Sequence, residues 1–250
     1  MRQAADTIRT ILDGCGLGHG SNPASLDRLQ AASELRTFDE GAYLWRRSAP
    51  ARFFCVLVSG LVRLTQEAHC GKQVVVELLG PSDCTGLLAT LGNVSHPFSC
   101  LALTDVEALI VDSDAWRDAT FNDPELLRKA ASAAIPRMLG GYGFMAAMAT
   151  GEVEARLALA LLRLDEINAR DHGMATPIHL TRKALAEIGV TTVESAIRIT
   201  SRWNKAGTIL TGHKSLTVLD RASLYSTAHL ADSNKVLSSD GVLTPLHQSG

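Results

Sequence analysis

Glu194 and Arg198 stand four residues apart, preceded by Thr192 and Val193, with Ser195 between them and Arg202 and Lys205 beyond. On a helix that spacing places both charged side chains on one face, one turn apart. A guanidinium can grip guanine O6 and N7 together, a carboxylate accepts from cytosine N4, and an apolar group such as Val193 can meet a thymine methyl. Thr192 is a helix-capping residue type, and the positive end of the helix it would cap favours a phosphate. Arg182, Lys183, Arg202, Lys205 and Lys214 suit phosphates, which fix position without reading sequence. Taken alone, Glu194 and Arg198 are also an ordinary surface ion pair worth a few tenths of a kcal/mol. The choice between the two readings rests on the charge and the elements around them.

The charge distribution favours DNA. The 250 residues carry a net charge of −2, which by itself argues against a general polyanion binder. Yet Thr176 to Ala231 holds seven Lys/Arg against three acids, a local +4 that leaves −6 on the remainder. A basic segment on an acidic body is the footprint of a nucleic-acid-binding module joined to a domain that does not bind. The elements needed to present the pair follow in order. Leu180-Thr181-Arg182-Lys183 opens a short helix that ends near Gly189. A second helix runs from about Thr192 to Ala206 and is stopped by Gly207. Ile209-Leu210, Gly212-His213 and Leu216 to Leu219 then read as strand, turn, strand. Helix, tight turn, helix and hairpin make a winged helix-turn-helix, whose second helix fits a ~12 Å major groove. Ala196, Ile197, Ile199 and Trp203 read as its core side.

The remainder of the chain must carry and position that module. Apolar residues make up 46% and charged residues 20%, a soluble globular composition. No run approaches the ~20 apolar residues of a membrane span, and Met1-Arg2-Gln3-Ala4-Ala5-Asp6 leads into no apolar stretch. A cytoplasmic location without a membrane partner is therefore expected. Five scattered cysteines with no Cys-x-x-Cys argue for reduced thiols. The expected class is α+β. Residues 1–24, Gly-rich around Gly14 to Gly20, read as irregular, and Leu26, Leu29 and Leu35 are spaced for a short helix. Residues 25–123 read as an antiparallel β domain, with short apolar runs between turn residues from Arg36 to Asp112. Residues 124–150 form a long helix behind Pro124. Ile135, Met138, Tyr142, Met145 and Ala149 trace an apolar stripe on it, suited to a twofold dimer seam. Residues 151–232 hold the winged module, with a bend near Gly151, and 233–250 are a polar, Ser-rich tail expected to be flexible.

Leu180 to Gly189, Thr192-Val-Glu-Ser-Ala-Ile-Arg198 and Arg202-Trp-Asn-Lys-Ala-Gly207 resemble the DNA-binding domain of the CRP/FNR family of transcription regulators. Phe54 to Leu64 and Val75 to Gly86 resemble the same family's β-roll, the jelly-roll sensor that binds cyclic nucleotides in some members. The resemblance spans roughly Leu26 to Tyr225, with the parts in family order. It implies a β-roll, a dimerisation helix, a hinge near Gly151 and two recognition helices on a palindromic operator. It also implies RNA polymerase as a partner if the protein is an activator. Glu194 and Arg198 fall on the family's principal base-reading positions. Two features depart from the pattern: the turn between Gly189 and Val193 is one residue longer than usual, and Ile197 replaces a small polar residue of many FNR-like members.

The resemblance also frames what the roll could sense. Nucleotide-binding members place a Gly-Glu pair at the ribose and an Arg-Ser/Thr-Ala set at the phosphate. Here Leu87 follows Gly86, and His96-Pro97-Phe98 occupies the phosphate region, so cAMP is not expected. An iron–sulfur cluster needs four cysteine ligands, three of them clustered near the amino terminus, where only Cys15 lies. Haem or another metal stays open through His69, Cys70 and His96, although neighbouring strand residues point to opposite sides. A thiol switch stays open through Cys84 and Cys100, which could approach across the roll. The remaining reading is an apolar or other small-molecule effector between roll and long helix, with Leu87, His96, Phe98, Cys84, Cys100 and Tyr142 as pocket candidates. Gly140, Gly141 and Gly143, each costing ~1 kcal/mol in a helix relative to Ala, mark close packing there or a segment that settles on ligand binding. A regulator working without ligand is a further option. From another class, a cupin-like metal-binding β-barrel would want His-x-His, a following Glu and a later His; Arg36 to Asp112 offers only His69 and His96. No Ser/His/Asp arrangement or phosphate loop appears, so the chain does not read as an enzyme.

Overall fold

A computed structural model describes residues 2–67, 73–173 and 175–228. Two helices lead the chain, α1 (Arg2–Gly14) and α2 (Pro23–Ala31). Eight strands follow: β1 (Ser33–Phe38), β2 (Tyr43–Trp45), β3 (Phe53–Ser59), β4 (Val62–Glu67), β5 (Gln73–Leu79), β6 (Cys84–Thr85), β7 (Ser99–Ala102) and β8 (Val106–Asp112). A five-residue helix, α3 (Leu87–Leu91), separates β6 from β7. The strands form two antiparallel four-stranded sheets, ordered β1-β8-β3-β6 and β2-β7-β4-β5. Cys55, Leu57, Val62, Leu64, Cys100 and Ile110 fill the space between them. Phe53 to Val58 is apolar without alternation because β3 is covered on both faces. Cys55 and Leu57 face the sandwich, while Phe54 and Val56 meet Trp116, Leu126 and the N-terminal helices.

The segment expected to be irregular is therefore helical over Arg2–Gly14 and irregular only between α1 and α2. Ile8, Ile11 and Leu12 recur at helical steps along α1 and, with Leu17, close the outer face of β3. The glycine cluster that suggested a loop begins only at the end of this helix. Leu35 leaves the helix expected to contain it and sits half-exposed in β1, since α2 ends at Ala31. Residues 233–250, His69 and Cys70 lie outside the described residues.

Asp112 caps α4 (Ser113–Asn122) by accepting from the Asp114 and Ala115 amides. Asp123 likewise caps α5 (Pro124–Thr150), and its other carboxylate oxygen takes the Asn22 amide at 2.7 Å. With Pro124 in its first turn, α5 runs 27 residues, ~40 Å at 1.5 Å per residue, before Gly151 turns to extended backbone. Beyond the break come α6 (Val153–His172), β9 (Ile178–His179), α7 (Arg182–Ile188), α8 (Val193–Lys205), β10 (Ile209–Gly212), β11 (Ser215–Val218) and α9 (Arg221–Thr227). The last three strands pair in the order β10-β11-β9. One apolar cluster joins α6 to α9 with Leu61, Val75, Leu78 and Leu103 of the roll, so both halves of the chain share a core. Their approach is close at Gly80, where a Cβ would fall 2.1 Å from Ile167 Cγ2.

Candidate nucleic-acid interface

Two threonines start the two helices of the C-terminal module. Thr181 Oγ1 accepts from the Ala184 amide at 3.0 Å, and Thr192 Oγ1 from the Ser195 amide at 3.2 Å. The turn between the helices holds its left-handed residue at Val190 (φ 50°), not at Gly189 (φ −76°). Gly189 is needed for another reason: a Cβ there would lie 2.5 Å from Leu157 Cδ2 on α6. Arg156, from the same helix, braces the turn by donating to Gly189 O at 2.8 Å, Val190 O at 3.1 Å and Gly151 O at 3.1 Å.

Ala196, Ile199, Thr200 and Trp203 form the inner face of α8. Val193, Glu194, Ile197, Arg198 and Ser201 form its outer face, all exposed. Ile197, expected in the core, is 47% exposed. The inner face is centred on Ala196 and Ile199, and one residue further along the helix turns Ile197 ~100° toward Val193 and Ser201. No ion pair joins Glu194 to Arg198 among the described residues. Glu194 instead turns back to its own backbone N–H and the Thr192 hydroxyl, which hold its carboxyl below the usual range.

The cations expected at phosphates divide into two groups. Lys183, Lys205 and Lys214 are exposed, Lys214 at the tip of the β10–β11 hairpin with φ 47°. Arg182 is half-buried, its Nη1 donates to Ser215 O at 3.1 Å, and burial lowers its pKa. Arg202 pairs with Glu154, whose Oε1 also accepts from Trp203 Nε1 at 3.0 Å. Both arginines thus hold parts of the module together, Arg202 with its side chain still 62% exposed. Neither role was legible in sequence, because each partner is more than thirty residues away. Arg156 was missed for the same reason.

The other site is a cavity of 280 Å³ between the roll and α5. Leu87, His96, Phe98, Cys84 and Tyr142, all expected there, line it. Cys100 does not; it packs with Cys55 inside the sandwich. Cys84 belongs to the outer core cluster and contacts Cys15, so the expected approach of Cys84 to Cys100 does not occur. The stack of Trp45 on His96, centroids 4.2 Å apart, forms one wall. Arg137 on α5 forms another, held by two hydrogen bonds to Glu77 at 3.0 and 3.1 Å and by a short one to Cys84 O. Burial pulls this guanidinium down, but Glu77 and Asp83 outweigh it and raise its pKa. Burial also lowers the His96 pKa to about 4.

Along α5, Ile135, Met138 and Tyr142 are exposed, together with Leu127 and Leu139. Met145 departs from the expected stripe, because it packs against the roll. A Cβ at Gly140 would meet open space and one at Gly141 only Val76 O at 3.7 Å, so packing on the roll requires neither glycine. Among the described residues, no group of three His, Cys, Asp or Glu could hold a metal ion, and no helix is long and apolar enough to cross a membrane.

Comparison with known proteins covers both halves. Residues 35–123 match the family model for a cyclic nucleotide-binding domain, and 155–227 that for a Crp-like helix-turn-helix domain. The chain belongs to the CRP/FNR family of transcription regulators. A CRP-like cAMP-activated global transcriptional regulator of Mycobacterium tuberculosis is 23% identical over 220 residues, 87% of this chain and 98% of that one. A global nitrogen regulator of Synechococcus elongatus is 25% identical over 216 residues, 83% and 91% of the two chains. FixK2 from Bradyrhizobium japonicum shares the fold at a TM-score of 0.67 and 19% identity, over 78% of this chain and 96% of that chain.

Membership in the CRP/FNR family raises cyclic nucleotide as a ligand, and the residues present do not fit one. Leu87 follows Gly86 and is buried in the outer core. The segment that would face the phosphate supplies a neutral imidazole, a proline and Phe98. Arg137, the cavity's guanidinium, already has its charge matched by Glu77. A phosphate there would lack an uncommitted cation.

Proposed function

We propose that this CRP/FNR-family regulator acts as a homodimer that reads a palindromic operator and is controlled by an effector other than a cyclic nucleotide. The observation that carries the reading is the outer face of α8, where Val193, Glu194, Ile197 and Arg198 stand exposed at the amino-terminal end of a capped helix. Arg198 suits a guanine, Glu194 a cytosine once it swings from its cap, and Val193 and Ile197 thymine methyls. Lys183, Lys205 and Lys214 surround that face for phosphate contacts.

Dimerisation is supported by the stripe of Leu127, Ile135, Met138, Leu139 and Tyr142 on a helix of ~40 Å. Tyr142 is 57% exposed in the protomer, and a self-complementary apolar seam is the usual solution for such a surface. Met138 and Tyr142 also line the cavity, so an occupant there would bear directly on the seam. A second route leaves through β6. Asp83, beside Cys84 and Thr85, accepts from Arg170 Nη1 at 2.9 Å, and Arg63 of β4 donates to Glu187 of α7 at 2.8 Å. Regulation then requires two dimer states of unequal effector affinity, with the recognition helices ~34 Å apart in the binding state. As an activator it would also contact RNA polymerase.

Gel-shift selection from a library of palindromes with varied half-site spacing tests this. A specific complex of two chains per operator that weakens steeply with salt is expected. No specific complex, in the presence or absence of cell extract small molecules, ends the proposal.

A further inference from the structure

The cavity between roll and α5 has a chemical character of its own. Its walls are built mainly from Trp45, Leu64, Val76, Phe98, Met138 and Met145. At 280 Å³ it stands close to the lower end of the ~300–1,000 Å³ of small-molecule sites. The ion pair on its wall, Arg137 with Glu77, is closed on itself through two hydrogen bonds. A charged guest would have to part those partners, at the cost of leaving one of them buried and unpaired.

Two other lining side chains do have something to offer. Thr85 and His96 are each 2% exposed, and Thr85 Oγ1 and His96 Nε2 have no hydrogen-bond partner among the described residues. Buried polar atoms are normally partnered, so two orphans on residues that line one cavity need an explanation. His96 is fixed in place, since its backbone N–H donates to Ala49 O at 2.9 Å, its carbonyl accepts from the Ser48 amide at 2.9 Å, and its ring stacks on Trp45. A threonine hydroxyl needs only a χ1 rotation to turn toward a guest. Both groups can donate or accept when neutral.

Resting on the effector-pocket reading above, we propose that the cavity takes an uncharged, largely apolar and flat molecule carrying one hydrogen-bonding group, a hydroxyl or carbonyl, which Thr85 and His96 receive. The flat body lies against the aromatic wall, and the ion pair of Arg137 and Glu77 excludes anions by staying closed.

Three probes of one shape test it on the full-length protein: naphthalene, 1-naphthol and 1-naphthoate, with cAMP as a fourth. Binding is read by probe fluorescence and calorimetry. 1-Naphthol is expected to bind about tenfold more tightly than naphthalene, in keeping with one or two hydrogen bonds gained, with 1-naphthoate and cAMP the weakest. Thr85→Val keeps the side-chain shape and is expected to reduce the preference, and Thr85→Val with His96→Phe to erase it while naphthalene binding stays unchanged. Ala134→Phe, which fills the cavity from α5, is expected to abolish binding of all naphthyl probes, with the fold checked by circular dichroism. The proposal is overturned if naphthoate or cAMP binds more tightly than naphthol, if wild-type protein shows no preference for naphthol over naphthalene, or if the preference survives the double substitution. If Ala134→Phe leaves every probe bound as before, the effector-pocket reading falls together with it; in the other cases only the chemical class does.

Discussion

Replacing Arg156 by alanine removes the brace behind the helix-turn-helix without touching its exposed face. The guanidinium makes three hydrogen bonds, to Gly189 O, Val190 O and Gly151 O, at 2.8, 3.1 and 3.1 Å. Gly189 is buried, and its residue cannot move toward α6 because Leu157 stands where a Cβ would go. Hydrogen bonds from a charged donor contribute ~1.5–3 kcal/mol each, and a buried acceptor left unpaired costs ~1–3 kcal/mol. Arg156 itself is half-exposed, and water can replace the contact at the outer carbonyl of Gly151. Two contacts at the lower figure give a loss of about 3 kcal/mol. Val190 sharpens the effect, since a β-branched residue at φ 50° keeps that conformation only while its surroundings enforce it. Urea unfolding followed by circular dichroism and tryptophan emission measures the loss, and operator affinity should fall as well although Arg156 contacts no base. A change under ~0.5 kcal/mol, with operator affinity intact, would refute the idea that this arginine holds the turn.

Arg198→Ala should relax base preference at one position per half-site and cost ~1–3 kcal/mol of specific binding, whereas Lys214→Ala should weaken all sequences alike and lower the salt slope by ~1; gel shifts on matched and scrambled operators separate the two. Leu139→Lys should place like charges across the dimer seam and yield monomers in sedimentation equilibrium, while a wild-type monomer at micromolar concentration would remove the seam. His96 titrates at about 4 in the fold against 6.5 unfolded, so the unfolded chain binds the extra proton between those values. Its contribution is complete above pH 6.5 and is lost as pH falls toward 4, on the order of 3 kcal/mol, and in pH-dependent melts His96→Phe should flatten that slope.

Much of this protein is legible in its sequence. The order of parts, the break at Gly151, the capped second helix and the outward Glu194 and Arg198 follow from signals a few residues long: capping types, 3.6-residue periodicity, turn residues and a local excess of cations. The phosphate mismatch at Leu87 and His96-Pro97-Phe98 was likewise visible, as absent residue types need no geometry to be noticed. Local pattern failed where the answer depended on what lay opposite. Ile197 read as core because it is apolar, but only the packing of Ala196, Ile199 and Trp203 on α6 and the wing sets the helix phase that turns it outward. Met145 left the expected stripe of α5 to pack against the roll, and Leu139, which the stripe did not include, stands exposed. Cys84 found Cys15, not Cys100, once α1 closed over β3. Arg156, Arg182 and Arg202 became braces through partners far along the chain. Sequence by itself determined which chemistry the surface helix carries, because that chemistry sits within one or two turns. Tertiary structure alone decided which faces were buried, which cations were already matched and that Thr85 and His96 line one cavity, because those depend on close packing between segments that share no local signal.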